Sequence, residues 1–119
     1  MDQDIIRHHA LAFAAGALTT YKRIPYRCTI RDIVAVVQAD PGDAETITVT
    51  YGATAATAST AIGIVTFGTD IAAGALGTWT ANSTTGDTVC AEGGFLKFVT
   101  TAASAAAVDM DIEFDPYAR

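Results

Sequence analysis

Eight consecutive residues near the C-terminus alternate strictly between apolar and acidic side chains. The apolar members are Val108, Met110, Ile112 and Phe114, and the acidic members are Asp109, Asp111, Glu113 and Asp115. In a helix, residues two apart point to nearly opposite sides, so this order would scatter the apolar groups, whereas a strand places them on one face. The segment is therefore predicted to be a half-buried β-strand that ends at Pro116.

Alternation or short apolar runs predict further strands at residues 28–38, 46–51, 62–67 and 95–100. Residues 40–43, with Pro and Gly in turn positions, predict a hairpin between the first two of these strands. Gly-rich turns separate the strands at fairly regular spacing, and no helical period lies between them. We therefore predict an all-β fold, an antiparallel β-sandwich of seven or eight strands, with a jelly roll favoured and an immunoglobulin-like sandwich as the alternative.

The first 20 residues fit two interpretations. Ile6, Ala10 and Phe13 have helical spacing, whereas Leu11 and Phe13 alternate with Ala as in a strand. We predict that residues 1–20 form an N-terminal arm and that residues 21–119 form one sandwich domain.

Alanine and threonine dominate the composition, with 24 Ala and 18 Thr, while charged residues are only 17%. Soluble domains usually carry about 25% charged residues. Short, uncharged side chains give flat surfaces that lose little conformational entropy when another molecule covers them. Two explanations stay open: a surface covered by other protein copies, or a general alanine-rich bias of the source.

Charge is divided unevenly along the chain. Five of the seven basic residues lie within residues 5–31, which contain no acid: Arg7, Lys22, Arg23, Arg27 and Arg31. The net charge of -6 disfavours nucleic acid as a partner, because the chain would repel phosphate. The basic stretch could contact the acidic strand of a neighbouring subunit, through Asp109, Asp111 and Glu113, or the charges could be screened within one chain.

No secretory or membrane-spanning segment is visible in the sequence, so we expect synthesis in a cytoplasm. Cys28 and Cys90 are then expected to be reduced and buried, with a disulfide as the lesser alternative.

Candidate catalytic or metal-binding groups are few. Asp109 and Asp111 would lie ~6.8 Å apart along a strand, but an acidic face without apolar neighbours would be solvated, which disfavours a role in acid catalysis. Asp40, Asp43 and Glu45 crowd a turn whose spacing does not fit a calcium loop. The adjacent histidines, residues 8 and 9, would point apart. We predict that the chain is not an enzyme and binds no cofactor or metal.

Three aromatic residues, Tyr51, Trp79 and Tyr117, could line a sugar-binding platform. Aromatic rings are more often part of the core. A carbohydrate-binding or receptor-binding module of a phage tail or cell-surface protein is therefore the alternative function.

The order of strands and turns resembles that of small jelly-roll decoration (cement) proteins of tailed bacteriophage heads. The segments that carry the resemblance are YRCTIRDI (26–33), ITVTYG (47–52), IGIVT (62–66), EGGFLKF (92–98) and VDMDIEFDPY (108–117). The resemblance implies a non-enzymatic protein, made in the host cytoplasm, that binds the major capsid protein on the capsid exterior as a trimer or, in some cases, a dimer. It carries over no catalytic residue. The charge and the hydropathy of the sequence, rather than the resemblance, lead us to expect no nucleic-acid or membrane partner.

The basic N-terminal third is not explained by that resemblance. We predict that residues 1–31 reach across to an acidic face of a neighbouring subunit or of the capsid shell, where charge complementarity would fix the register of binding.

Overall fold

A computed structural model describes residues 6–13, 19–38, 45–68, 72–100 and 107–116 of the chain. In this part of the chain there are eight β-strands, one short 3-10 turn at Ala55–Thr57 and no α-helix. The strands are β1 Arg7–Phe13, β2 Thr19–Arg23, β3 Cys28–Val37, β4 Glu45–Gly52, β5 Thr60–Phe67, β6 Thr78–Ala81, β7 Phe95–Thr100 and β8 Val108–Pro116. None of the described residues forms a helix long and apolar enough to cross a membrane.

The strands form two antiparallel sheets. The small sheet has the order β1-β8-β3, and the large sheet has the order β2-β7-β4-β5-β6. The two sheets face each other across one core, so the prediction of an antiparallel β-sandwich with seven or eight strands is confirmed.

The C-terminal strand β8 is the central strand of the small sheet. Val108, Met110, Ile112 and Phe114 are all buried against the large sheet, as the alternation predicted. They belong to the same hydrophobic core as buried residues of β4 and β7, among them Val49 and Phe98. The acidic side chains of β8 consequently point away from the core.

The predicted hairpin between the strands at 28–38 and 46–51 is wrong. β3 pairs with β8 in the small sheet, whereas β4 pairs with β5 and β7 in the large sheet. The turn residues 40–43 lie outside the described residues. A turn signal indicates that the chain reverses direction but not that the flanking strands pair, and here the chain crosses from one sheet to the other.

Residues 7–13 of the predicted arm form β1, which pairs with β8 from Arg7↔Phe114 to Phe13↔Val108. Of the two interpretations of this segment, the strand is therefore the one observed. Within the part of the chain that the structure describes, β1 pairs with β8 alone and is an edge strand. Residues 1–5 and 14–18 lie outside the described residues, and a separate role for residues 1–20 stays a prediction.

The segment that precedes β6 touches both sheets. The Gly77 amide donates to the Ala35 carbonyl (2.9 Å) and the Val37 amide donates to the Ala75 carbonyl (3.1 Å), which joins this segment to β3. Residues Thr78–Ala81 then pair with β5. Hydrogen bonds thus link the two sheets on the side of β3 and β6, opposite the side where β1 and β2 form the edges.

Candidate functional site

The outer face of the small sheet carries four carboxylates of β8, Asp109, Asp111, Glu113 and Asp115, and is called the acidic face below. Because β8 lies between β1 and β3, neighbouring strands supply partners to this row on both sides. On the β3 side, the Gln38 amide donates to Asp109, and Arg31 Nη1 lies 3.9 Å from Asp115 Oδ2.

On the β1 side, His8 contacts the acidic face. Its Nδ1 lies 2.7 Å from Asp111 Oδ2 and 4.0 Å from Glu113 Oε2. The hydrogen bond to Asp111 raises the pKa of His8, with a further contribution from the charge of Glu113. Sequence reasoning missed this cluster, because the alternation in β1 and in β8 does not reveal that the two strands are neighbours.

His9 points to the opposite side of β1, as expected for adjacent residues of a strand. Its ring makes edge contacts with Phe114 (centroids 5.1 Å apart) and Tyr26 (5.8 Å). Burial, followed by the charges of Lys22 and Arg7, lowers the pKa of His9. The Arg7 guanidinium lies 5.6 Å from the centre of the Tyr26 ring.

The five basic residues predicted as an interaction surface do not form one patch. Arg7 and Lys22 lie near His9 at the edges of the two sheets, whereas Arg31 lies beside Asp115. Arg23 is exposed in β2 and Arg27 is exposed between β2 and β3. The contacts of His8 and Arg31 show that part of the acidic face has basic partners within the chain itself.

The outer face of the large sheet has a different chemistry. We call it the threonine face, and it consists of Thr46, Thr48, Ile64, Thr66 and Thr80 on β4, β5 and β6. The Ile64 side chain is 41% exposed. A shallow groove of about 350 Å³ lies on this face, lined by residues that include Thr48, Ile64, Thr80 and Asn82.

The aromatic residues considered for a sugar platform are placed mainly in packing roles. Trp79 is half-buried and packs against the core, over Gly63. Tyr51 also packs against the core, and its hydroxyl accepts a hydrogen bond from the Ala91 amide (2.9 Å). Tyr117 lies outside the described residues.

The two cysteines lie opposite each other between β3 and the loop before β7. The Cys28 amide donates to the Cys90 carbonyl (3.0 Å), and the Cys90 amide donates to the Cys28 carbonyl (2.7 Å). Both side chains are buried, as expected, and no disulfide joins them in this structure. Burial raises the pKa of each thiol to about 12, so neither is activated as a nucleophile.

The other acidic candidates that the structure describes lie at two separate places. Asp109 and Asp111 lie on the solvent-facing side of β8, and Glu45 is buried at the start of β4. Asp40 and Asp43 lie outside the described residues.

Comparison of the chain with protein-family models, with curated proteins and with solved structures gives no match.

Proposed function

We propose that the protein is a structural subunit of a symmetric assembly, a decoration (cement) protein that binds the major capsid protein on the exterior of a phage head as a homotrimer. The observation that carries the proposal is the threonine face. Three adjacent strands of the large sheet direct threonine and isoleucine side chains outward. None of the five residues that define the face is charged.

Such a face suits close contact with another protein. Threonine is stiff at χ1, so immobilising it costs less entropy than ordering lysine or glutamate. None of the residues that define the face carries a charge that would have to be desolvated on contact. The exposed Ile64 supplies an apolar centre to the contact.

The strand order supports the jelly-roll interpretation of the sandwich. An eight-stranded jelly roll has one sheet with the order 1-8-3-6 and a second with the order 2-7-4-5. The orders β1-β8-β3 and β2-β7-β4-β5 agree with this arrangement. The departure is β6, which pairs with β5, although the residues directly before it are hydrogen-bonded to β3.

The mechanism of stabilisation would be passive. A subunit whose contact surface is complete only on the assembled lattice binds that state and not the free capsid protein, so it stabilises the lattice by mass action. No chemical step is required of any side chain.

Native mass measurement and capsid binding test this proposal. We expect wild-type protein to have three times the 12.3 kDa mass of the chain and to bind assembled capsids. The double variant Thr48→Lys, Thr66→Lys places two charges in the contact and should lose both properties. The control Ala56→Lys, Ala73→Lys adds the same charge at exposed loop positions and should retain them. A monomeric wild type that binds no capsid contradicts the proposal.

The contribution of the basic residues has its own test. Reversal of Arg23 and Arg27 to Glu should weaken assembly or capsid attachment while the circular dichroism spectrum stays that of folded protein. Normal assembly and binding of this variant at physiological salt would assign these two residues to an ordinary solvated surface.

The groove on the threonine face favours a second candidate function, a carbohydrate-binding or receptor-binding module. Its threonine hydroxyls and Asn82 could contact a polar ligand. Saturable binding of a glycan by a monomeric protein, lost on Thr80→Lys, would support this candidate over the assembly subunit.

A further inference from the structure

We propose that His8, Asp111 and Glu113 form a binding site for one divalent transition-metal ion of the Zn²⁺ type. The site lies on the acidic face, where β1 meets β8. The proposal does not depend on the function proposed above, since it concerns the opposite sheet of the sandwich.

Strand pairing brings the three side chains together. His8 is directly opposite Glu113 in the register of β1 and β8, and Asp111 is two residues before Glu113 on the same face. One nitrogen of His8 and one oxygen of each carboxylate all lie within 4.8 Å of one another. Hydrogen-bonded strands hold the backbone of all three residues, so little ordering of the chain is needed before an ion can bind.

The distances suit an ion with short bonds to nitrogen and oxygen. Bonds of about 2.1 Å in a tetrahedral site separate the ligand atoms by about 3.4 Å. The observed separations from His8 Nδ1, 2.7 Å to Asp111 and 4.0 Å to Glu113, lie on either side of that value. The side chains of His8 and Asp111 are 54% and 43% exposed, so small rotations can open the first distance and close the second.

The donor set selects the class of metal. Imidazole together with two carboxylates suits Zn²⁺ and related transition-metal ions, whereas Ca²⁺ and Mg²⁺ prefer sites made only of oxygen. Two ionised carboxylates balance the double charge of the ion. Three protein ligands on a solvent-facing surface also leave a coordination position for water.

The surrounding charge favours a cation at this position. Asp109 continues the row of carboxylates beside the ligands and adds to its negative potential, whereas Asp115 on the other side lies 3.9 Å from Arg31. In the absence of metal, His8 forms a hydrogen bond with Asp111, and the metal takes the place of that bond. A bound ion would fasten edge strand β1 to the central strand β8.

Isothermal titration with Zn²⁺, on protein without a polyhistidine tag, tests the site. We expect one saturable site per chain in the wild type, and its loss in His8→Ala and in Glu113→Gln. Two matched controls should keep the site: His9→Gln removes the neighbouring histidine on the opposite face, and Asp115→Asn removes the next carboxylate of the row. Circular dichroism checks that each variant is folded.

Two further measurements report the ligands directly. The absorption bands of bound Co²⁺ should appear in the wild type and in His9→Gln but not in His8→Ala. Zn²⁺ should also slow amide hydrogen exchange in β1 of the wild type, and it should not slow this exchange in the Glu113→Gln variant. The proposal is overturned if wild-type protein shows no saturable Zn²⁺ binding, if His8→Ala binds as well as the wild type, or if a folded His9→Gln variant loses the site equally.

Discussion

The acidic face and the threonine face are both the solvent sides of half-buried sheets, yet they differ in what they can contact. The acidic face carries a row of like charges on its central strand, and its partners, His8 and Arg31, come from the strands on either side. The threonine face carries hydroxyl and methyl groups around an exposed isoleucine. One face therefore attracts cations, whereas the other can be covered by protein without burying a charge.

The difference shows that a sandwich can carry two kinds of surface chemistry by assigning them to different sheets. The inner faces have to be apolar for the fold to form, so the alternation of each strand leaves only the outer positions free to vary. In this chain the outer positions of β8 are carboxylates and those of β4 are threonines. The predictions below test whether a substitution on either outer face leaves the stability of the core and the properties of the other face unchanged.

The largest effect is expected on the buried side of the acidic strand. Phe114→Ala should lower the free energy of unfolding by about 3 to 5 kcal/mol, because the fully buried ring would leave a cavity between the sheets. Asp111→Ala, on the outer side of the same strand, should cost less than about 1 kcal/mol. Urea denaturation of both variants measures the difference. Equal losses of unfolding free energy in the two variants would show that Asp111 stabilises the fold as much as the buried ring does.

A smaller effect is expected inside the large sheet. A methyl group added at Gly63 would lie 2.7 Å from Trp79 Cζ2 and 2.6 Å from the Thr80 carbonyl oxygen, and this oxygen belongs to a paired strand that cannot easily move. Gly63→Ala should therefore cost about 1 to 3 kcal/mol. Thr66→Ala, on the threonine face of the same strand, should change the free energy of unfolding by less than about 0.5 kcal/mol. A tolerated Gly63→Ala would mean that Trp79 can leave its place over the sheet.

The two adjacent histidines should respond to pH in opposite directions. The pKa of His8 is raised above 6.5 by Asp111, so its contribution to stability is complete below pH 6.5 and is lost as the pH rises through the raised pKa. The pKa of His9 is lowered by burial, so its contribution is present above pH 6.5 and is lost as the pH falls through the lowered pKa.

Free energies of unfolding measured from about pH 5 to about pH 8, in steps of about half a pH unit, would separate the two histidines. Both have a pKa of about 6.5 in the unfolded chain. His8→Gln should remove the loss of stability on raising the pH, and His9→Gln the loss on lowering it. The same pH slope in both variants would contradict the assignment of the two residues to opposite faces of β1.

The smallest effect concerns salt. Carboxylates two residues apart on a strand are separated by ~6.8 Å, which is shorter than the screening length of about 8 Å at physiological ionic strength. Added NaCl should therefore raise the thermal midpoint at neutral pH slightly. The double variant Asp109→Asn, Asp111→Asn should respond less, whereas Thr46→Ala, Thr48→Ala should respond like the wild type. A midpoint that falls with salt would show that the contacts of His8 and Arg31 outweigh the repulsion along the row.

Much of the local structure could be predicted from the order of side chains. The alternation of Val108 to Asp115 identified a strand, its buried face and its acidic face, because a strand has a period of two. Alternation also identified β4 and β5 and explained why Ile47 and Val65 are buried.

Other features could not be predicted, because they depend on which strands are neighbours. The hairpin predicted between β3 and β4 was wrong, since pairing is decided by how all the apolar faces can be buried at once. The contact of His8 with Asp111 joins residues far apart in the sequence, and no local pattern indicates it. Trp79 was considered for a sugar-binding platform. In the structure its ring packs over Gly63, which has no side chain in that space, and the sequence does not reveal this contact.

The sequence by itself therefore determined the class of fold, the face of each well-marked strand and the places where charge is concentrated, because these follow from side-chain chemistry and a short repeat. The tertiary structure decided the order of strands in the two sheets and brought His8 close to Asp111 and Glu113. It also decided that the basic residues lie on several surfaces. These features are long-range, because burying two sheets against each other is a property of the whole chain and not of any one segment.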